Sequence, residues 1–176
     1  IQGGYLMEFT DVVKNRYACK KYDGTQISAL QLDAILEAGR LAPTAKNLQG
    51  QRIYVVQSAE GLAKIDALTP CRYSAPTVLV VAYDKDSVFV FPGGKANSGE
   101  EDASIVATHM MLAATNAGVD SCWLNFFDPE AVAKALHLPE NEQVLMLLDL
   151  GHAAPDAGPL PNHTSRKPLA ETVKYL

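Results

Sequence analysis

The chain has 176 residues, which is enough for one domain with a full hydrophobic core and too few for two well-packed ones. Hydrophobic residues make up 48% and charged residues 20%, a globular balance that excludes a disordered tail or a fibre. A net charge of −5 argues against the basic surface of a nucleic-acid-binding protein. We therefore expect one domain, residues 7–176, that binds no nucleic acid.

The sequence shows neither a membrane span nor an export signal. Its purely apolar runs are no longer than Val78–Ala82, whereas a helix that crosses a bilayer needs about 20 apolar residues. Residues 1–6 match no periodic pattern, and we expect them to be a leader or vector-derived residues. The cysteines are Cys19, Cys71 and Cys122. An odd number without a CxxC spacing indicates neither a disulfide framework nor a zinc site, so we expect a reducing, cytoplasmic setting.

Two helices are predicted before the first strand. Apolar residues recur at helical spacing over Glu8–Arg16, and basic residues follow the end of this segment. Ser28 and Gln31 have the spacing of a capping box at the start of the second helix. Pro43 must end that helix within a few residues, because the residue before a proline disfavours helical geometry.

The middle of the chain predicts two strands and a helix. Ile53–Val56 is rich in β-branched and aromatic residues, and Ser58 then caps a helix that runs to about Leu68. The apolar run Thr77–Tyr83 is typical of a strand buried on both faces. Glycine and proline in Asp84–Gly99 predict an exposed loop, mobile in character.

The longest predicted helix is Asp102–Ala117, which is apolar nearly all round and ends before Gly118. Such a helix lies in the centre of a fold or in a subunit interface. After it come a strand at Cys122–Phe127, a helix from Asp128 and Pro129 to about Leu136, a strand at Gln143–Leu150 and a last turn within Pro168–Tyr175. Because strands and helices interleave without regular βαβ alternation, we predict an α+β fold with a central mixed sheet flanked by helices.

Several common catalytic motifs are absent from the sequence. Gly93-Gly94-Lys95 lacks the first glycine and the Ser/Thr of a P-loop, and there is no GxGxxG, HExxH or GxSxG. The histidines occur singly, and His109, mid-helix among apolar residues, is predicted to be a core residue. We therefore expect no metal site.

Positive charge is concentrated near both ends of the chain. Lys14–Lys21 holds four of the fifteen basic residues, and Arg166 and Lys167 form a smaller group. One interpretation is two solvated faces, which is what charge clusters usually are. The other is that both groups converge on one phosphate, since arginine offers a planar fork and lysine a point charge.

Ala42–Arg52 is a second distinctive segment, dense in amide side chains. It is either an ordinary turn region or a loop that offers paired donors and acceptors to the edge of a heterocycle.

Taken together and in order, these segments resemble the FMN-dependent nitroreductase family over nearly the whole chain from Glu8. The resemblance is carried by a basic residue, a Lys and an aromatic near the start, then Ala-Pro-Thr-x-x-Asn-x-Gln from Ala42, Asn116–Leu124, Leu150-Gly151-His152, and Ser165–Leu169. It implies the family's three-layer fold and a homodimer with FMN sites at its interface, to which the helix at Asp102–Ala117 is suited.

The resemblance also assigns cofactor-binding residues. It implies that Arg16 and Arg166 bind the FMN phosphate, so that the two chain ends meet there. Tyr17 and Ala18 flank that site, and Tyr17 either donates a hydrogen bond or packs. Lys20 matches the lysine at the N1/O2 side of the flavin, where a cation stabilises the reduced, anionic ring.

The remaining implied contacts come from two other segments. Pro43, Thr44, Asn47 and Gln49 match the loop that, in the family, reaches flavin held mainly by the partner subunit or lines its pyrimidine edge. Asn125 and Phe126 match the segment that passes flavin N5 and O4 and offers backbone groups. No residue is assigned as a catalytic acid or base, because the flavin carries the redox chemistry.

The sequence departs from the family pattern at several positions. Ala18 replaces a common Ser, Thr164 replaces a second basic residue of some members, and Gly50-Gln51 stands where Pro and a large aromatic are common. Asn125-Phe126 replaces a Glu-Gly pair of some members. The loop at Asp84–Gly99 is too short for the helical lid of longer members.

The implied activity is that of an FMN-dependent oxidoreductase. It would take a hydride from NADH or NADPH, a transient donor, and then reduce a small-molecule acceptor such as a nitroaromatic or a quinone by ping-pong transfer through flavin N5. The alternatives are a noncatalytic flavin-binding or sensing protein, a relative that acts on halogenated aromatics or on flavin itself, and, less favoured, a phosphosugar or nucleotide-binding transferase.

Overall fold

The computed structural model describes residues 7–176, so the expectation for residues 1–6 lies outside the described part of the chain. Within residues 7–176 the helices are α1 (Phe9–Asn15), α2 (Ala29–Arg40), α3 (Ala59–Asp66), α4 (Gly99–Asn116), α5 (Pro129–Ala135) and α6 (Leu169–Thr172). The strands are β1 (Gln51–Val56), β2 (Thr77–Asp84), β3 (Asp120–Leu124) and β4 (Glu142–Gly151). Each predicted helix and strand is present, with ends that shift by a few residues.

The predicted helix starts are confirmed where a side chain caps the helix. The backbone N–H of Gln31 donates to Ser28 Oγ at 3.2 Å, and the Ser28 N–H donates to Gln31 Oε1 at 3.0 Å, which completes the capping box. Ser58 accepts from the Gly61 N–H, and the Asp128 side chain accepts from two backbone N–H groups in the first turn of α5. These caps depend only on local sequence, which is why they could be predicted.

The sheet has the order β1-β2-β4-β3, and all three neighbouring pairs are antiparallel. The prediction of a mixed sheet is therefore wrong for these strands. The chain runs from β2 through α4 to β3 in the same direction, as in a parallel crossover, but β4 inserts between the two strands and opposes both. A single parallel bridge, between Ala18 and Ser121, adds the N-terminal segment beside β3.

Helices cover both faces of the sheet, as predicted for an α+β fold. Side chains alternate along β2, so that Leu79 and Val81 join the cluster with α2 and α4, whereas Val78 and Val80 join the cluster with α3 and α5. All four side chains are fully buried. This double burial explains the apolar run that marks β2 in the sequence.

Helix α4 is the central helix, in agreement with the prediction. Val106 and Met110 are fully buried between α2 and the sheet. Gly39 of α2 permits this close approach, because a Cβ at that position would lie 2.7 Å from Met110 Cγ. His109, by contrast, lies on the exposed side of α4, so the prediction of a core histidine is wrong. Apolar neighbours in sequence do not place a residue on the apolar face of a helix.

The segment between β2 and α4 is a small hairpin, where an open loop was predicted. The Phe91 N–H donates to Ala96 O at 3.0 Å, and the Ser98 N–H donates to Phe89 O at 3.0 Å. Gly93 and Gly94 form the turn with φ values of 93° and 69°, which suit glycine. The tip is exposed as predicted, but Ser98 at the base is fully buried.

Candidate functional site

The N-terminal segment, residues 16–22, is held against the sheet by backbone hydrogen bonds. The Cys19 N–H donates to Ser121 O at 2.9 Å, and the Ala154 N–H donates to Lys21 O at 3.0 Å. The segment therefore lies between β3 and the residues that follow β4. This fixes the backbone of Arg16, Tyr17, Ala18 and Lys20 relative to the core.

Arg16 lies at a small cavity of about 190 Å³, where the end of α1, the end of α4 and the start of β3 meet. Among residues 7–176 its guanidinium forms no hydrogen bond or ion pair. Ser121 also lines the cavity, and its Oγ is buried without a hydrogen-bond partner in the described part of the chain. An uncommitted guanidinium and an unsatisfied hydroxyl at one cavity are the donors that an oxyanion requires.

The two chain ends meet at Tyr17. Its ring contacts His163 edge-on, with 6.4 Å between the ring centroids. Burial, followed by the negative charge of Asp120, raises the pKa of Tyr17, so the phenol keeps its proton at neutral pH. Tyr17 is thus an uncharged side chain that packs against His163 and whose hydroxyl can donate a hydrogen bond.

Arg166 is near this junction in sequence but is exposed, and its guanidinium is already engaged. Its Nη1 donates to His163 O at 2.6 Å and to Ser165 O at 2.7 Å. Arg166 therefore stabilises its own turn, whereas Arg16 is uncommitted. The structure brings the chain ends together but leaves the two arginines in different states.

The two lysines of the segment also differ. Lys21 forms an ion pair with Asp156, Nζ to Oδ2 2.5 Å, which ties the segment to the tail of the chain. Lys20 is exposed and takes part in no ion pair or hydrogen bond among residues 7–176. Of the pair, Lys20 is the cation that a ligand can approach without breaking an existing contact.

The amide-rich loop, residues 43–49, is largely exposed and has an unusual backbone. Lys46, Asn47 and Gln49 have φ values of 51°, 55° and 53°. The Gln49 N–H donates to Thr44 Oγ1 at 3.0 Å, and Gln49 Nε2 donates to Asn47 O at 3.3 Å. Pro43 is exposed, and the Asn47 side chain forms no hydrogen bond with residues 7–176.

Asn125 and Phe126 follow directly after β3, which ends at Leu124 and not at Phe127 as predicted. The Asn125 side chain bonds back to its neighbours: Trp123 Nε1 donates to its Oδ1 at 2.6 Å, and its Nδ2 donates to Leu145 O at 3.1 Å. Asn125 is nevertheless exposed, and its side chain is already engaged. Phe126 is 73% exposed.

The two halves of the predicted site are attached to different parts of the fold. Among residues 7–176, no hydrogen bond or ion pair joins the amide-rich loop to the N-terminal segment. The loop is attached to α4 through Ala45 and Asp102, whereas the segment is attached to β3.

Sequence reasoning overlooked three features. The first is Asp102, whose carboxylate holds the loop; it is the last of three consecutive acids at the start of α4, and nothing in the sequence singled it out. The second is the contact of Lys46 with Phe89 of the hairpin, 4.4 Å from Nζ to the ring centroid. The third is Asp149, which is fully buried in β4 with neither carboxyl oxygen hydrogen-bonded among the described residues. Nothing in the sequence marked Asp149, because one acid in a strand is usually solvent-facing.

Cys122 is a buried free thiol. Burial, together with the negative charge of Asp149, raises its pKa to about 12, so it carries almost no thiolate at neutral pH. In the described range, no three His, Cys, Asp or Glu side chains come together to form a metal site. Nor does any helix there have the length and hydropathy to cross a bilayer.

Comparison with known proteins identifies the class to which this fold and site belong. The model of the nitroreductase family matches residues 13–71 and 70–152, which is most of the chain. The chain therefore belongs to the nitroreductase family, and the resemblance seen in the sequence is confirmed.

Individual relatives cover the chain almost completely. A nitroreductase family protein of Clostridium difficile 630 is 34% identical, with a TM-score of 0.88 over 96% of this chain and 98% of that one. MhqN of Bacillus subtilis, named as an NAD(P)H nitroreductase, is 26% identical over 97% of this chain and 100% of its own length. A nitroreductase of Exiguobacterium sibiricum, solved in complex with FMN, has a TM-score of 0.84 over 99% of this chain and 100% of that one. At 21% identity it shows the shared fold alone.

Proposed function

We propose that this chain is an FMN-dependent NAD(P)H oxidoreductase that works as a homodimer. Its family, the NAD(P)H nitroreductase name of MhqN and the FMN bound by the Exiguobacterium protein support this proposal. The observation that carries it is the uncommitted Arg16 guanidinium at a cavity that Ser121, with its unsatisfied hydroxyl, also lines.

The residues present fit the phosphate end of FMN. Arg16 offers a planar pair of donors, and Ser121 compensates for the hydroxyl that Ala18 lacks. Arg166 would join them by exchanging its carbonyl partners for a dianion, an exchange that favours the phosphate because a guanidinium and a phosphate form a bidentate ion pair, whereas a carbonyl oxygen carries no net charge. Ala18 keeps the segment in contact with β3 through its bridge to Ser121.

The residues at the ring end would supply charge and position. FMN, when bound, supplies the hydride chemistry, accepting from NADH or NADPH and reducing an acceptor such as a nitroaromatic or a quinone. Lys20 would place positive charge at the pyrimidine side of the ring, where no ion pair among residues 7–176 competes for it. Thr44, Asn47 and Gln49 would contribute polar groups from the loop, and Asn125 and Phe126 would contribute backbone groups.

The dimer in this proposal explains the separation of the two half-sites. The loop and the N-terminal segment are anchored to different elements, and in a dimer the loop of one copy would face the segment of the other. Apolar side chains exposed near the two half-sites support such an interface: Phe126, after β3, is 73% exposed, and Leu48, in the loop, is 42% exposed.

The experiment is an anaerobic titration of the purified protein. The proposal predicts a bound flavin with the absorbance of an oxidised flavin, at about 450 nm. This absorbance should bleach with NADH or NADPH and return when an acceptor is added. A protein that binds FMN but does not bleach is a binding or sensing protein. A colourless protein that takes up no added FMN overturns the proposal altogether.

A further inference from the structure

The amide-rich loop is strained. Lys46, Asn47 and Gln49 occupy the left-handed region, which is unfavourable for a residue other than glycine. Such a conformation persists only where neighbouring groups hold it. The loop is mostly exposed, so these groups can be identified one by one.

The first contact comes from Asp102 in the first turn of α4. Its side chain is nearly buried, with the residue 7% exposed, and its Oδ1 accepts the Ala45 N–H at 2.8 Å. The Asp102 N–H donates to Ser98 O at 2.7 Å, which fixes the carboxylate at the base of the hairpin. The bond from the Ala45 N–H to the Asp102 carboxylate is charge-assisted, and Ala45 directly precedes the left-handed residues of the loop.

The far end of the loop is closed by Gly50. The Asp84 N–H donates to Gly50 O at 2.8 Å, and a Cβ at Gly50 would lie 2.4 Å from Ser87 O. The glycine that replaces the family's common proline therefore lets the backbone touch the β2–hairpin junction. Both ends of the loop are thus tied to the base of the hairpin, one at the start of α4 and the other at the end of β2.

The middle of the loop contacts the hairpin through Lys46. Lys46 Nζ lies 4.4 Å from the centroid of the Phe89 ring, a cation–π distance that contributes little at an exposed site. Phe89 in turn packs edge-on against Phe91, 5.8 Å between centroids. Of the three contacts, only the Asp102 carboxylate combines burial with charge.

We infer that Asp102 is a positioning residue for the cofactor: it holds the amide-rich loop in its left-handed form, so that Thr44, Asn47 and Gln49 meet the flavin in register. Asp102 does not touch the flavin, and it acts through the Ala45 N–H. This inference rests on the proposed function.

The test compares three single variants in the full-length protein. Asp102→Ala removes the acceptor and should weaken FMN binding about tenfold, the effect of losing one charge-assisted bond. Asp102→Asn keeps an oxygen acceptor and should restore affinity to within about threefold of wild type. Glu101→Ala, an exposed acid of the same helical turn, is the matched control and should leave affinity unchanged.

A second readout separates positioning from general stability. Hydrogen exchange at the Ala45 amide should be slow in the wild type and in Asp102→Asn, and faster in Asp102→Ala, while the exchange of β2 amides stays the same in all three. If Asp102→Ala binds FMN as well as Glu101→Ala does, or if Asp102→Asn is as weak as Asp102→Ala, the inference is wrong. If the wild type binds no FMN, it is the proposed function that fails.

Discussion

The two parts of the proposed site are built in opposite ways. Residues 16–22 lie against β3 and are tied by backbone hydrogen bonds to Ser121 and to the residues after β4. The amide-rich loop lies outside the sheet, carries three left-handed residues and is held by a few side-chain contacts. The phosphate side is therefore rigid through the core, whereas the ring side is adjustable. Removing a side chain on the first side should therefore leave the backbone of the site in place, whereas loosening the loop should change its shape.

The largest effect, on the free energy of unfolding, is expected at Asp149 in β4, the strand that pairs with β3. Burial raises its pKa to about 9, although the nearby Arg72 guanidinium opposes the shift. An unfolded Asp ionises near pH 3.9, so between about pH 4 and 9 the buried, protonated form loses about 1.4 kcal/mol of stability per pH unit. Asp149→Asn removes this loss and should be the more stable protein at pH 8 by several kcal/mol.

Denaturant unfolding of both proteins from pH 5 to pH 8 measures this difference. The two should be close at pH 5, where less of the loss has accumulated, and diverge steadily as the pH rises. A difference that stays constant across the range would mean that Asp149 is ionised in the folded protein, with a partner for its charge.

Arg16→Ala should have the next largest effect, now on cofactor affinity. Its guanidinium is uncommitted, so its whole interaction with the phosphate is lost, and FMN affinity should fall by about ten- to a hundredfold. Lys14→Ala, an exposed cation at the end of the same helix, is the control. Fluorescence titration with FMN compares them, and equal affinities would remove Arg16 from the site.

Arg166→Ala should weaken FMN binding less than Arg16→Ala does, by about three- to tenfold. The reason is that binding through Arg166 must replace the carbonyl bonds to His163 and Ser165. The same titration measures the ratio of the two effects. A larger loss at Arg166 than at Arg16 would reverse the assignment of the main phosphate ligand.

Gly50→Ala probes the adjustable side. The added Cβ would lie 2.4 Å from Ser87 O, so the loop end must shift away from the hairpin. We expect a stability loss of about 1–3 kcal/mol and weaker FMN binding. The control is Ala63→Gly, an exposed change in α3, which should cost about 1 kcal/mol of stability and leave FMN affinity intact. Gly24→Ala would not serve, because Gly24 has a positive φ and the substitution would itself add strain. Equal FMN affinity in Gly50→Ala would show that the loop end does not influence the cofactor.

Cys122→Ala should have the smallest effect. Its thiol is buried and its pKa is raised to about 12, so it supplies no nucleophile. Turnover with NADH or NADPH should stay within a few-fold of wild type, and the lost packing should cost about 1 kcal/mol. An inactive variant that still binds FMN would give the thiol a role in catalysis.

Local features were predictable from the sequence, and non-local ones were not. The starts of α2, α3 and α5 follow from caps within a few residues, and β2 follows from its continuous apolar run. The insertion of β4 between β2 and β3 depends on pairing between distant segments, so the antiparallel sheet was missed. The hairpin was missed because a Pro-Gly-Gly sequence is also typical of an open loop, although Phe89 and Phe91 precede it with strand-like spacing.

The candidate site divides along the same line. Tyr17 and Lys20 follow α1 directly in the sequence, but their place against β3 depends on the long-range bridge between Ala18 and Ser121. The engagement of Arg166 with its own carbonyls and the hydrogen bonds of the Asn125 side chain depend on contacts that form only in the fold. Asp102 and Asp149 act through burial, which a single charged residue in a sequence does not reveal.

The most direct test of a composite FMN site is a mixed dimer. One subunit would carry Arg16→Ala with Arg166→Ala, and the other Asn47→Ala with Gln49→Ala, coexpressed with different tags and purified as the heterodimer. The account predicts that both parent homodimers lose FMN, whereas the mixed dimer holds one FMN in the single site where intact arginines face an intact loop. A mixed dimer as empty as its parents would contradict a site shared between subunits.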